Sequence, residues 1–263
     1  MSEPRNVSGR HINRRDLLGA ATLGAAATTL GLASPGTAEA ASKPSDLVVP
    51  TDGKYTMVPL RKDSLRVTAI QSIIRSPRDM KNPAREMKAN VDHMIEMIDQ
   101  ANGFPGPQDL ICFHEQPIQG WNPWTREETL RVCIDVPGPE TEAIGRKAKE
   151  YGCYITFGTY SRDKNWPGHV LLTGVLIGPD GNVVANHWKI NNSRGFKPGW
   201  DMFTTSIHDV LDRYREMYGE DAVLPIARTD IGNISCSIIP GQPDILRAHT
   251  MKGLEMSLRS SSG

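Results

Sequence analysis

The sequence predicts an α/β fold in which strands and helices alternate along the chain. Two observations support this prediction: short β-branched or apolar runs recur through residues 65–259, and segments with helical periodicity separate most of them. A third is turn chemistry, since Pro179-Asp180-Gly181 joins two strand-like runs with no helix between them. A layered domain of sheet and helices is therefore expected.

The first half of this domain is predicted to contain two strands and two helices. Strands are expected over residues 65–71 and 109–113, the second of them buried on both faces. A helix that Pro83 can start presents an apolar face at helical spacing, made of Ala84, Met87, Val91, Met94, Ile95, Ile98 and Ala101. The other helix, over 138–152, directs Ile144 and Ala148 inward.

The second half continues the alternation. The predicted strands span 154–159, 170–177, 182–188 and 233–239, and another starts within 253–259. The predicted helices span 207–218, which is amphipathic and charged, and 243–252.

Composition argues against several classes of protein. Thirty Lys and Arg residues balance thirty Asp and Glu residues, which disfavours a strongly basic nucleic-acid-binding protein. No apolar run reaches the roughly 20 residues that a membrane-spanning helix needs. Four cysteines in a chain of this size do not make a disulfide scaffold; they are Cys112, Cys133, Cys153 and Cys236. They show no CxxC spacing and the sequence contains no HExxH, so no zinc site is expected.

Residues 1–40 are expected to be an export signal of the twin-arginine (Tat) type. Arg14-Arg15 precede a mildly apolar, small-residue stretch, and Ala38-Glu39-Ala40 offers a cleavage site. The alternative is an N-terminal tail without a targeting role. We therefore expect a periplasmic or extracellular protein, with a lead-in segment over 41–64 and one domain over 65–263.

Glu115 and Lys189 are candidate catalytic residues because each follows a predicted strand. A carboxylate at the carboxyl end of a buried strand lies where α/β folds place active sites, and partial burial would suit it to general-base work. An ammonium at the end of a strand could stabilise an oxyanion. The alternatives are a surface ion pair for Glu115 and a solvated side chain for Lys189.

Cys236 is a candidate nucleophile because it lies near the end of a predicted strand. The alternative is a small buried side chain in the core. Ser235 and Ser237 are weaker candidates, since no histidine is arranged to activate them. His114 and Trp121 are expected either to line a pocket or to pack in the core.

Several segments, taken in order, resemble the nitrilase or carbon–nitrogen hydrolase superfamily, closest to its aliphatic amidase and formamidase branch. The resemblance extends from Leu65 to about Arg259 and includes the strand ending in Gln71 and the helix containing Asn90. The other matching segments are 109–115, 136–140, the hairpin 176–181 leading to Lys189, 230–234, and residues Pro243, Asp244, Arg247 and 251–253.

This resemblance implies an α-β-β-α sandwich and a Glu-Lys-Cys mechanism that hydrolyses a small amide or carbamoyl compound without metal or cofactor. It assigns the glutamate role to Glu115 and the lysine role to Lys189. It also implies assembly into a homo-oligomer. The balanced charge and the lack of a long apolar run predict no nucleic-acid partner and no membrane association after signal cleavage.

The sequence departs from the family pattern at three places. Alignment on Gly232 puts the nucleophile position at Ile239, followed by Pro240, which has no N–H to offer an oxyanion. Cys236 lies three residues earlier and is expected to face the other side of the strand. The glutamate that amidases of this branch have before a Gly-Trp pair is absent, because Lys197-Pro198 precede Gly199-Trp200.

The third departure is at the end of the sequence, where we expect the domain to be truncated relative to the family. Three interpretations remain open at this point. They are an exported amidohydrolase, a catalytically inactive member or fragment of that family, and an unrelated α/β binding domain.

Overall fold

The computed structural model describes residues 54–192, 204–238 and 242–261, all within one compact unit. The predicted export signal, the Ile239 position and the segment around Lys197 lie outside these residues. Among the described residues, no helix is both long and apolar enough to cross a membrane.

The larger sheet has seven strands within the described ranges. Its main path runs β1 (Val67–Ile70), β2 (Leu110–Phe113), β4 (Tyr154–Arg162), β5 (Val170–Ile177) and β6 (Val183–Trp188). The first three strands on this path are parallel, and β4, β5 and β6 are antiparallel. Two short strands extend it: β3 (Ile134–Asp135) pairs with β4, and β7 (Thr204–Thr205) pairs with β5.

Three helices follow the first strands: α1 (Ala84–Gly103), α2 (Arg126–Val132) and α3 (Pro139–Tyr151). The inward faces of α1 and α3 share one buried cluster with side chains of the larger sheet, such as Phe157 and Val175. Pro139 starts α3, and Gly152 ends it in the left-handed conformation at φ 62°. The predicted apolar stripe of α1 is confirmed from Met87 onward. Ala84 is exposed instead, because it belongs to the first turn, before the buried stripe begins.

The smaller sheet packs against the opposite face of the larger one. It contains β8 (Ala227–Thr229), β9 (Gly232–Ser235) and β10 (Met256–Ser257), with α4 (Leu211–Tyr218) before it and α5 (Pro243–Met251) between β9 and β10. One buried cluster joins the two sheets: Leu110, Tyr154, Leu176 and Ala185 meet Ala227, Ile231, Ile234 and Cys236. β4 and β5 are buried on both faces because they lie between the helices and the second sheet. This layering confirms the predicted fold class.

Some predicted elements differ in extent. The strand expected over 233–239 spans Gly232–Ser235, and the helix expected over 207–218 begins with a 3-10 turn, Ile207–Val210. Ser206 precedes that turn, and its hydroxyl donates to Asp209 at 2.6 Å. Helix α2 was not predicted, although Thr125 and Glu128 form a capping box at its start. Strands β3, β7 and β8 have only two or three residues, too few for a periodic pattern.

Candidate functional site

A pair of glycines lets two separate segments approach the larger sheet closely. Gly158 on β4 and Gly174 on β5 are direct cross-strand partners, so they lie on the same face, about 4.5–5.5 Å apart. A Cβ at Gly158 would lie 2.3 Å from the carbonyl oxygen of Glu115, and a Cβ at Gly174 would lie 1.7 Å from that of Cys236. The glycine pair therefore brings the Glu115 loop and the end of β9 to neighbouring positions.

The loop that contains Glu115 begins directly after β2 and is held by hydrogen bonds. The amide of Gly158 donates to the carbonyl of His114 at 3.1 Å, and that of Gly120, at φ +70°, donates to the carbonyl of Gln116 at 2.9 Å. Glu115 itself is half-buried. Its backbone position is thus fixed by β4.

His114 and Trp121, each expected either to line a pocket or to pack in the core, differ in exposure. His114 is buried, and its Nε2 lies 2.8 Å from the hydroxyl of Ser72. Burial lowers the pKa of His114 and favours the neutral ring, against an opposing effect of Ser72. Trp121 is 47% exposed, so the core-packing alternative is wrong for this residue.

Lys189 is buried, which contradicts the alternative of a solvated strand-end lysine. Only 6% of the residue is exposed. Its amide donates to the carbonyl of Leu172 at 2.8 Å, and Leu172 pairs with Tyr160, so these three residues lie in one row across the sheet. Burial lowers the pKa of Lys189, while the nearby negative charge of Glu115 opposes that shift. Gly158 and Tyr160 are two residues apart on β4, so the row that ends at Lys189 lies on the face against which Glu115 packs.

Tyr160 is a third member of this group that the sequence analysis missed. It is buried, and both burial and the charge of Glu115 raise the pKa of its phenol, so the hydroxyl stays protonated. No sequence pattern distinguishes it from a core tyrosine. Gly158 and Gly174 were also missed, although glycine inside a strand is a known signal of close backbone approach.

Cys236 lies on the same face of the larger sheet, directed at the glycine pair. It is 1% exposed, and its thiol donates to the carbonyl of Gly174 at 3.1 Å. Its amide donates to Nδ1 of His187 at 3.3 Å, and His187 is the cross-strand partner of Gly174. Burial raises the pKa of the Cys236 thiol to about 12, against a smaller opposing effect of these backbone hydrogen bonds, so little thiolate is present at neutral pH.

The weaker nucleophile candidates are also buried. The amide of Ser237 donates to the hydroxyl of Ser235 at 3.4 Å. Ser237 is 1% exposed, and its hydroxyl has no hydrogen-bond partner among the described residues. Within those same ranges, no three His, Cys, Asp or Glu side chains are grouped as metal ligands.

The opposite end of β2 contains a different polar cluster around Asp109. One carboxylate oxygen contacts Lys62 at 2.6 Å and Arg61 at 3.2 Å, and the other accepts from the amide of Arg66 at 2.9 Å. Burial alone would raise the pKa of Asp109, but these contacts hold it below its usual value. An open groove of about 530 Å³ adjoins this cluster, lined by Lys62, Ser64, Leu65, Arg66, Pro107 and Asp109. It therefore lies away from Glu115.

Comparison with known proteins supplies the family. The model of the carbon-nitrogen hydrolase family matches residues 66–263. Formamidases from Bacillus cereus (strain B4264) and Bacillus thuringiensis (strain Al Hakam) are each 34% identical over 116 residues, which is 41% of this chain and 33% of theirs. The chain thus spans about a third of the length of these relatives.

Solved structures agree with the fold. A carbon-nitrogen hydrolase from Helicobacter pylori G27 superposes with a TM-score of 0.56 at 12% identity, covering 75% of this chain and 59% of that one. A double mutant of the amidase from Nesterenkonia sp. AN1, in complex with acrylamide, gives 0.54 at 15% identity, covering 78% and 68%. The layered fold agrees with these neighbours, and the family match over residues 66–263 shows that the chain belongs to the carbon-nitrogen hydrolase family.

Proposed function

We propose that this chain is an amidase-type hydrolase that releases ammonia from a small amide, such as a short aliphatic amide, formamide or a carbamoyl compound. The observation that carries the proposal is that Glu115 and the buried Lys189 lie on one face of the larger sheet beside the glycine pair, where the charge of Glu115 acts on Lys189. A buried lysine near a carboxylate is costly to maintain, and such perturbed groups cluster at functional sites. The similarity to formamidases supports this class of substrate, over the 41% of the chain that it covers.

In the proposed reaction, Cys236 supplies the nucleophile. Glu115 accepts the thiol proton, and the sulfur attacks the amide carbon while the carbonyl oxygen becomes an oxyanion beside Lys189. Glu115 then protonates the leaving nitrogen, and ammonia departs as the C–N bond breaks. Water adds to the acyl-enzyme with Glu115 as base, releasing the carboxylic acid and restoring the thiol.

A second candidate is a catalytically inactive member of the family that retains the fold without the chemistry. The burial of Cys236, its hydrogen bond to Gly174 and its raised pKa favour this candidate. Ile239 at the family's nucleophile position favours it as well. Under this proposal Glu115 and Lys189 would bind a small polar ligand instead of turning it over.

Ammonia release from formamide, acetamide and a carbamoyl amino acid separates the two candidates. The full chain is compared with Cys236→Ala and Glu115→Gln, with circular dichroism to verify folding. Release that both substitutions abolish supports the thiol mechanism. No release from the folded chain supports the inactive member, and release that survives Cys236→Ala but not Glu115→Gln points to another nucleophile.

The proposal includes export before function, with residues 1–40 as a Tat signal, 41–64 as a lead-in and 65–263 as the hydrolase domain. Replacing both Arg14 and Arg15 by lysine should retain the protein in the cytoplasm, since the arginine pair is the proposed targeting feature. Cell fractionation followed by immunoblotting measures this. Equal export of the variant and the unmodified chain would contradict the proposed route. We also propose that the chain forms a homo-oligomer, and light scattering tests this by measuring the molar mass in solution.

A further inference from the structure

Gln119 is a fully buried amide next to the Glu115 loop. Its Nε2 donates to the hydroxyl of Thr159 at 2.8 Å and to the carbonyl of Tyr160 at 3.0 Å. Its Oε1 accepts from the same Thr159 hydroxyl at 3.1 Å. Gln119 and Thr159 both have no exposed surface. A buried amide side chain is costly unless its donors and acceptors are paired, and here both ends are paired with β4.

The contacts of Gln119 join the C-terminal end of the Glu115 loop to β4, the strand that also holds the start of this loop at His114. Gly158 contacts the backbone of His114 and Glu115, and the next two residues of β4, Thr159 and Tyr160, bind Gln119. The hydrogen bond from Gly120 to Gln116 closes the chain between these attachments into one turn. The loop therefore has little freedom to move along the sheet.

A separate contact fixes the outer side of the same turn. Nδ2 of Asn90, on α1, donates to the carbonyl of Ile118 at 2.9 Å and to that of Arg75 at 2.7 Å. Asn90 joins the turn to the helical layer, whereas Gln119 joins it to the strand that contains Tyr160. Of these two amides, Gln119 is thus the one that sets the distance of the loop from the row of Tyr160, Leu172 and Lys189.

We propose that Gln119, held by Thr159, is a positioning residue that keeps Glu115 on the face of the sheet beside Lys189. The proposal rests on the hydrolase function inferred above, but it concerns a geometry that can be measured without turnover. Gln119 does not touch the reacting atoms and acts through the backbone of the loop.

The test uses the ammonium of Lys189 as a reporter of where Glu115 lies. Because the charge of Glu115 raises the pKa of Lys189, Glu115→Gln should lower that pKa further. Gln119→Leu should lower it in the same direction, because the freed loop carries the carboxylate away. The pKa is read from the pH dependence of acetylation of Lys189 in the full chain, followed by peptide mass spectrometry. If the chain has activity, kcat should fall by about 10- to 100-fold with little change in KM.

A double variant distinguishes positioning from a general loss of structure. Adding Gln119→Leu to Glu115→Gln should produce no further shift in the pKa of Lys189. Thr159→Val, nearly equal in volume, is a second route to the same effect should Gln119→Leu fold poorly. The matched control is Gln108→Leu, since Gln108 is a buried amide at the other end of β2 whose Nε2 donates to Ala101 at 3.1 Å. Gln108→Leu should lower the free energy of unfolding without changing the pKa of Lys189.

The outcomes separate this proposal from the proposed function. Unchanged Lys189 titration in folded Gln119→Leu or Thr159→Val, or an equal shift with and without Glu115, would overturn the positioning role. If the variants shift the pKa of Lys189 as expected but the chain releases no ammonia, the result would support the positioning role and count against the proposed hydrolysis.

Discussion

The two ends of β2 each present a carboxylate, and the two carboxylates have opposite surroundings. At the start of the strand, Asp109 accepts hydrogen bonds from Lys62, Arg61 and the amide of Arg66, which hold its pKa low. Just beyond the end of the strand, Glu115 lies on the same face of the sheet as Lys189, an ammonium that burial has made harder to protonate. One strand thus connects an ion cluster around Asp109 with a half-buried carboxylate near a buried lysine.

The difference separates an end that serves the fold from the end where we propose that the chemistry takes place. Both carboxylate oxygens of Asp109 accept hydrogen bonds, and these contacts attach residues 61–66 to the sheet, so they stabilise the folded state. The Glu115 end instead combines a buried lysine with two glycines in tight contact with neighbouring backbone. Such features cost stability and persist where function requires them. Three substitutions test this contrast.

The largest expected effect is that of Gly174→Ala. The new Cβ would meet the Cys236 carbonyl at 1.7 Å, and because this neighbour is backbone it cannot rotate away. We expect the free energy of unfolding to fall by about 3 kcal/mol or more, at the upper end for overpacking. Urea denaturation measures it.

The matched control for this prediction is Gly103→Ala at the end of α1, where a Cβ would meet nothing within 4 Å. It should be neutral or slightly stabilising. Equal losses in the two alanine variants would contradict the close approach at the glycine pair.

An intermediate effect is expected for Asp109→Asn. Losing the charge that binds two cations and an amide should lower the free energy of unfolding by about 2 kcal/mol at pH 7. Because the folded-state pKa lies below the ordinary value of 3.8, this stabilisation is complete above about pH 4 and is lost as pH falls through the folded-state pKa. Urea denaturation at pH 7 and pH 2.5 should therefore show the two proteins converging.

Asp92→Asn is the control for the Asp109 substitution. Asp92 pairs with Lys88 at 2.6 Å, one turn away on the exposed face of α1. Its loss should cost less than about 0.5 kcal/mol. A cost for Asp109→Asn that does not depend on pH would count against the ion cluster as its origin.

The smallest effect, opposite in sign, is expected for Lys189→Met. Removing a buried cation should raise the free energy of unfolding by about 1 kcal/mol at pH 7 while eliminating any hydrolysis. The folded-state pKa of Lys189 lies below its ordinary 10.5, so the cost of the charge is present at low pH. It disappears as pH rises through the folded-state pKa towards 10.5, and the gain should shrink accordingly.

Denaturation of Lys189→Met at pH 7 and pH 10 measures this gain. Lys88→Met is the control, because the Lys88 side chain is 75% exposed and its replacement should bring no pH-dependent gain. Destabilisation by Lys189→Met at pH 7 would show that the ammonium contributes to the fold, like the cluster at Asp109.

Local patterns predicted most of the larger elements. The stripe of α1, the Pro139 and Gly152 limits of α3, and the hairpin of β5 and β6 all depend on residues close together in the chain. For the site, position at a strand end made Glu115 and Lys189 candidates, and the family resemblance assigned their roles. Position in the sequence could not separate a buried lysine from a solvated one. The burial of Lys189 depends on the neighbouring strands β5 and β4, which contain Leu172 and Tyr160.

The sequence by itself determined the order of elements, the family pattern and the two charged candidates, since periodicity, turns and motifs are local properties. Only the tertiary structure decided that Gly158 and Gly174 meet across β4 and β5, and that Gln119 binds Thr159 forty residues away. It also decided that the Cys236 thiol donates to Gly174. The physical reason is that burial, pKa and the partner of a buried polar atom are set by chain segments distant in sequence.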